Sequence, residues 1–256
     1  MRLANSRQWL VVLAAFVIGA SVVGVAAYTA SARARLVRAD PDAVTGDAAL
    51  MALALPSGRA AYGSRCAACH GEAGKGDRSQ GVPDLTDADW LYGSGRVSDI
   101  QRIVDTGIRS GLKTSWNLAS MPAYASPAPS PTEKIAPLTP PDVRDVAEFL
   151  VWIEHRPADT ASAARGREIY EGRGGCYDCH GADARGDPGI GAPNLTDTIW
   201  LYGDGSRASI EVSIERGRHG VCPGGARQLS AFQSRAVALY VYSLSHKSKP
   251  GAAGST

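Results

Sequence analysis

The sequence predicts an all-α chain: an N-terminal transmembrane helix followed by two tandem copies of a small helical domain. Three observations carry this reading. The chain opens on an uncharged apolar segment, a long string of residues returns later in the sequence, and apolar residues recur at helical spacing with no strand pattern of period two. Apolar residues make up 44%, and 27 basic against 25 acidic side chains leave a net charge of +2. That excludes a disordered acidic chain, and no nucleic acid is expected as a partner. Twenty-nine Gly, fifteen Pro and 7% aromatics suit short helices joined by many loops.

Gln8 to Ala32 contains no charge, and its apolar stretch Trp9 to Tyr28 suffices to cross a bilayer as a helix. It is longer than the apolar region of a cleaved signal peptide, so residues 1–35 are expected to remain as a membrane anchor, although Ala-x-Ala patterns near its end keep cleavage open. Arg2 and Arg7 precede the span. Arg33, Arg35 and Arg38 follow it and mildly oppose an inside N-terminus. Residues 36–50 read as a linker.

The repeat begins at Cys66-Ala67-Ala68-Cys69-His70-Gly71, which returns as Cys176-Tyr177-Asp178-Cys179-His180-Gly181. Gly76-Asp77 returns as Gly186-Asp187, Leu85-Thr86-Asp87 as Leu195-Thr196-Asp197, and Trp90-Leu91-Tyr92-Gly93 as Trp200-Leu201-Tyr202-Gly203. Sixteen of thirty positions are identical, which marks a duplication. Each copy is expected to be a contiguous domain with its own core, at 51–156 and 164–246, with a linker at 157–163 and a tail at 247–256. The first copy carries two insertions, between Gly107 and Met121 and in the Pro-rich run Ser126 to Pro141, a surface loop.

Within the copies, Arg59–Tyr62 and Arg167–Tyr170 read as short helices. Ser98–Asp105 and Ser209–Arg216 read as helices ending at Gly107 and Gly217. The last helix of the first copy places Val143, Val146, Ala147, Leu150 and Val151 on one face. The second copy does the same with Phe232, Ala236, Leu239, Tyr240 and Ser243.

Two thiols three positions apart, followed directly by His, can bind the two vinyl groups of a haem and hold the imidazole against its iron. The rivals are a redox dithiol and half a zinc site. Neither explains a His after both pairs within two complete copies. Two covalently bound c-type haems are therefore expected, on Cys66 and Cys69 with His70, and on Cys176 and Cys179 with His180. Covalent haem attachment takes place outside the bacterial cytoplasmic membrane, so the domains should be periplasmic, beyond a single inner-membrane span.

The distal ligand expected in the first copy is Met121, in a Met-Pro loop, since the other methionines are Met1 and Met51. The second copy contains no Met. Cys222, also followed by Pro, stands in register and is the one Cys outside the haem motifs. Three readings stay open there: Cys222 as a thiolate ligand, His219 swinging in, or an iron without a protein sixth ligand. His155 and His246 read as cations at helix C-termini. Trp90 and Trp200 read as packing residues at the haem edge, and Asp77 and Asp187 as turn caps. No Ser-His-Asp set, phosphate loop or carboxylate pair emerges, so no catalytic residue is assigned.

Both copies resemble class I cytochrome c domains. Cys66-Ala67-Ala68-Cys69-His70-Gly71, Leu85-Thr86-Asp87, Trp90-Leu91-Tyr92-Gly93 and Met121-Pro122 resemble the first domain of the dihaem subunit (subunit III) of cbb3-type cytochrome c oxidase. Gly191 to Asp197, Ile199 to Gly203, Gly217 to Gly220 and Ala238 to Ser245 are similar to the second domain, where that family has Met-Pro-Ala-Trp in place of Cys222-Pro223-Gly224-Gly225. The resemblance implies an electron conduit in a respiratory chain, passing electrons from a small soluble donor cytochrome to a haem–copper oxidase catalytic subunit. It also implies His70 and Met121 on one iron and His180 on the other. The alternatives are a free-standing anchored cytochrome serving another membrane complex, a dihaem sulfur-oxidation enzyme using a Cys-ligated haem, and a redox or gas sensor.

Overall fold

A computed structural model describes residues 6–130, 135–225 and 228–246. The expected tail at 247–256, Arg2, and residues 131–134 of the Pro-rich run lie outside the described residues. Helix α1 (Ser6–Arg38) is 33 residues long, which gives about 50 Å at 1.5 Å per residue. Its apolar side chains from Trp9 to Val25 are exposed, as a lipid-facing helix requires, and it is long and apolar enough to cross a membrane.

Its far end is different. Leu36 is buried, and a 3₁₀ turn at Ala43–Gly46 buries Val44. Asp47 then caps α2 (Ala48–Arg65), accepting hydrogen bonds from the Ala49 and Leu50 amides. Residues 36–50 are therefore not a free linker, because Leu36, Val44 and Leu50 belong to a core. The expected Arg59–Tyr62 helix is the last part of the longer α2, which accommodates Pro56.

The remaining helices are α3 (Ala67–His70), α4 (Val97–Thr106), α5 (Pro140–Ile153), α6 (Thr160–Glu171), α7 (Cys176–His180), α8 (Arg207–Arg216) and α9 (Ala231–Ser245). Thr139 with Asp142 and Ser230 with Gln233 form capping boxes that start α5 and α9 at matching points of the two copies. Asp159 caps α6 through the Ala161 and Ser162 amides, so α6 begins inside the stretch expected as a linker. No strand occurs among the described residues, only isolated bridges.

The two cores do not follow the two copies. One joins Leu36, Leu50, Ala54, Tyr62, Val97 and Ile100 to Ala236–Leu239 and Val241 of α9. The other joins Val143, Val146, Phe149, Leu150 and Val151 of α5 to Ile169, Tyr170, Ile210 and Ile214. The predicted face of α5 is buried as expected. Of the face predicted for α9, Ala236 and Leu239 are buried while Phe232, Tyr240 and Ser243 are half-buried, and Val237, Ala238 and Val241 join the core instead. Each helix, however, closes the core of the other copy. Helix α9 crosses α2 and α4, while α5 crosses α6 and α8. The short connection from Ile153 to Thr160 is the physical reason. Helices joined by so few residues fold back as an antiparallel pair, so α5 meets α6, and α9 is left to cover α2. Ion pairs secure the α5 side: Asp145 takes both ends of the Arg165 guanidinium at 2.7 Å, Asp142 pairs with Arg173 at 2.6 Å, and Glu148 pairs with Arg207.

We call the body built from α2–α4 and α9 the first lobe, and that built from α5–α8 the second.

Candidate haem sites

Each Cys-x-x-Cys-His string forms one helical turn, α3 or α7, closed by a glycine at positive φ: Gly71 at 75° and Gly181 at 79°. Only glycine adopts that conformation without strain, which is why the string ends on Gly in both copies. Tyr62 from α2 donates its hydroxyl to the Gly71 carbonyl at 2.7 Å, and Tyr170 from α6 does the same to Gly181. Both turns are thus pinned to the helix before them.

The histidines are oriented alike. His70 Nδ1 lies 3.2 Å from the Pro83 carbonyl, and His180 Nδ1 lies 3.0 Å from the Pro193 carbonyl. A carbonyl can only accept, so Nδ1 carries the proton and Nε2 presents its lone pair. Burial pushes both imidazoles below their ordinary pKa, with the proline carbonyls opposing it, and both are neutral at pH 7. The carbonyls are held by the tight loops after each motif. The Asp77 amide bonds the Val82 carbonyl and the Asp187 amide the Ala192 carbonyl, both at 2.9 Å, and the two aspartates close turns through the Ser79 and Gly189 amides. The Trp rings are packing residues within their own lobes: Trp90 lies on Gly95, and Trp200 lies on Gly205 and donates to Glu154 at 3.0 Å.

Met121 and Cys222 sit at matching places. Met121 and Arg218 exchange backbone hydrogen bonds at 3.0 and 3.2 Å, and Cys222 and Ile108 do so at 2.9 Å in both directions. Gly217 lies on the Met121 carbonyl as Gly107 lies on the Cys222 carbonyl. Ile108 and Arg218 are equivalent positions of the repeat, so one device is used twice. Each candidate ligand docks on the other copy: Met121 packs on the core holding Cys176, Tyr170 and Trp200, while Cys222 follows Ile108, at the end of α4 in the lobe of Cys66 and His70.

A cytochrome c family model matches residues 56–154. The cbb3-type cytochrome c oxidase subunit CcoP of Rhodobacter capsulatus is 39% identical over 218 residues, covering 82% of this chain and 69% of the relative. Subunit FixP of Azorhizobium caulinodans is 35% identical, covering 84% of this chain and 68% of the relative. CcoP of Cereibacter sphaeroides is 34% identical, covering 84% and 69%.

The chain belongs to the CcoP/FixP family.

It is a membrane-anchored c-type cytochrome with covalently bound haem, all-α, with α1 as the anchor. The residues present fit that group. A CcoP-type haem needs paired thiols and a neutral imidazole with a free Nε2, and both turns provide these. Cys66 and Cys176 face their cores, and Cys222 is partly buried. Burial pushes the Cys222 thiol up to about 11, helped by the nearby thiols of Cys66 and Cys69 rather than those of its own copy. His219 lies outside that pairing, three residues before Cys222. His246 caps α9, with Nδ1 3.1 Å from the Tyr242 carbonyl and its ring stacked on Tyr242 at 3.9 Å. His155 follows α5 at φ 58°.

Sequence reasoning missed the contacts between lobes. Tyr202 lies on Gly81 and Tyr92 on Gly191, each across the interface. The Gly93 amide bonds the Pro188 carbonyl at 3.0 Å, and the Gly203 amide bonds the Arg78 carbonyl at 3.1 Å. Arg109, held by Tyr92 Oη of its own copy (2.8 Å), reaches the Gly220 carbonyl of the other (2.7 Å). The repeated Trp-Leu-Tyr-Gly was the signal: its Trp serves its own lobe, and its Tyr and Gly serve the neighbour.

Proposed function

We propose that this CcoP/FixP-family chain carries two haems and relays electrons from a small soluble donor cytochrome to the haem–copper catalytic subunit of a cbb3-type oxidase. The haem lobes stand on the periplasmic side of the inner membrane. Cys66 and Cys69 form the thioether links of one haem, and Cys176 and Cys179 those of the other. His70 and His180 are the proximal ligands. Met121 and Cys222 stand on the sixth-ligand sides.

The observation that carries this reading is the matched orientation of His70 and His180, each with Nδ1 on a proline carbonyl and Nε2 left for a metal. Two such sites in one chain suit a relay. When bound, haem iron supplies a one-electron couple, and the protein's own part is to hold the imidazoles neutral and exclude water. Burial in each lobe does both. The end of α1 is fixed to the first lobe, since Arg235 of α9 donates to the Leu36 and Ala39 carbonyls at 3.0 and 2.9 Å. The first lobe is thereby held close to the membrane.

Gentle solubilisation of the tagged chain from its native membrane tests this. Haem staining at two equivalents per chain, with b-type haem and cyanide-sensitive oxygen uptake co-eluting, is the expected result. Elution with c-type haem alone would make the chain a free-standing anchored cytochrome, and one equivalent of haem would overturn the two-haem assignment.

A further inference from the structure

We propose that the haem pockets are completed by exchanged segments: residues 217–225 close the pocket of the haem at Cys66-Cys69-His70, and residues 121–125 close that of the haem at Cys176-Cys179-His180. The unusual cysteine side then belongs to the first haem and the methionine side to the second, the reverse of the order of the repeats. This rests on the two-haem reading above.

The second pocket shows the exchange most fully. From Met121 onward, the first copy's loop runs along the end of α8. Met121 pairs with Arg218, the Tyr124 amide bonds the Ile214 carbonyl and the Ala125 amide the Glu215 carbonyl, both at 3.1 Å. The Tyr124 side chain is 3% exposed, and its hydroxyl donates to the Gly174 carbonyl, two residues before Cys176. The Leu138 amide then bonds the Tyr124 carbonyl at 3.0 Å and leads into α5, which closes the same core. The partners of Tyr124 and Ala125 at Ile214, Glu215 and Gly174 lie in the second lobe, and Met121 packs on its core.

The first pocket mirrors it. Cys222 pairs with Ile108, and Gly224 lies against the Asp105 and Thr106 backbone, too close for any side chain. The Gly225 amide bonds the Val104 carbonyl at 2.7 Å. Leu229 and α9 then enter the core that contains Cys66, Ala67 and Trp90. Met121 would have to break the Arg218 bridge and release Tyr124 to reach the first lobe.

The test uses the full-length holoprotein. In the Cys66→Ala/Cys69→Ala variant, the ferric near-infrared band of a methionine-ligated haem should persist and vanish when Met121→Ala is added. In the Cys176→Ala/Cys179→Ala variant that band should be absent, and Cys222→Ala should change the ferric EPR signal. The opposite assignment of band and signal overturns the exchange while leaving two haems and their ligands standing. A protein with both haems and no methionine band overturns the ligand set itself. Should a thiol-pair variant fail to accumulate, NMR of the reduced intact protein decides. The upfield-shifted Met121 methyl should show a nuclear Overhauser effect to the haem attached at Cys176 and Cys179, and an effect to the other haem sinks the proposal.

Discussion

Gly58 of α2 and Ala236 of α9 touch backbone to backbone, with no room for a methyl group between them. Gly166 of α6 meets the Asp145 carbonyl of α5 in the same way. These two glycines hold the helix crossings that close the lobes, and both crossings join one copy of the repeat to the other.

Replacing either glycine by alanine should drive its helices apart. Gly58→Ala and Gly166→Ala are each expected to cost about 1–3 kcal/mol, the usual range for overpacking, and to lower the thermal midpoint of the holoprotein. Gly63 is the control, because nothing lies within 4 Å of a methyl placed there. Gly63→Ala in the same α2 should be neutral or stabilise by up to about 1 kcal/mol through helix propensity. Equal losses at all three positions would contradict close crossing.

Arg235 is 5% exposed and donates to Leu36, Ala39 and Gln101. Arg235→Met keeps the stem but strands these acceptors, which should cost about 1–3 kcal/mol. Hydrogen exchange should quicken at residues 36–44 and stay unchanged in the second lobe. Uniform quickening would show that the arginine does not act locally.

The Tyr92 ring on Gly191 and the Tyr202 ring on Gly81 hold the lobes together. Tyr92→Ala should cost about 3–5 kcal/mol, as truncations of large buried aromatics do. Small-angle scattering of the double variant with Tyr202→Ala should show a longer molecule with its haem content unchanged. An unchanged profile would place the cohesion elsewhere.

Acid should loosen the second lobe through α5. Partial burial opposes ionisation of Asp142, but hydrogen bonds from Arg173 and Thr139 and the arginine's charge outweigh it and hold the carboxyl at about 2. For Asp145, the Arg165 hydrogen bonds come first, and they too lower its pKa. A depressed carboxyl stabilises the fold above its ordinary value of 3.8. That contribution is lost as pH falls from about 4 towards 2. Arg173→Gln and Arg165→Gln should therefore flatten the acid-unfolding curve of the second lobe across that window. A curve as steep as the unsubstituted protein's would show that these pairs do not drive it.

Much of the site was legible because its chemistry is local. Cys66, Cys69 and His70 need only one helical turn, and the repeat at Cys176, Cys179 and His180 confirms the spacing. The apolar face of α5 was equally plain: Val143, Val146, Ala147, Leu150 and Val151 follow helical periodicity, and four of these five are at most 2% exposed. What periodicity does not contain is the identity of the partner. Two copies of one sequence have interchangeable faces, so α5 suits α2 and α6 alike. Met121 stood in the first copy by register, yet its backbone pairs with Arg218. Residues 36–50 looked like a linker because Leu36, Val37, Val44 and Leu50, interrupted by Asp, Pro and Gly, follow no helical or strand period. They are packed because α1 ends against α9.

By itself, then, the sequence determined the anchor, the helical class and the duplication with its two Cys-x-x-Cys-His strings, since each depends on spacing along the chain. Tertiary structure decided which copy closes which core, and this is the ground for the proposed exchange of Met121 and Cys222 between the haem motifs. The short α5–α6 connection folds those helices onto each other, and α9 takes the place that α5 left.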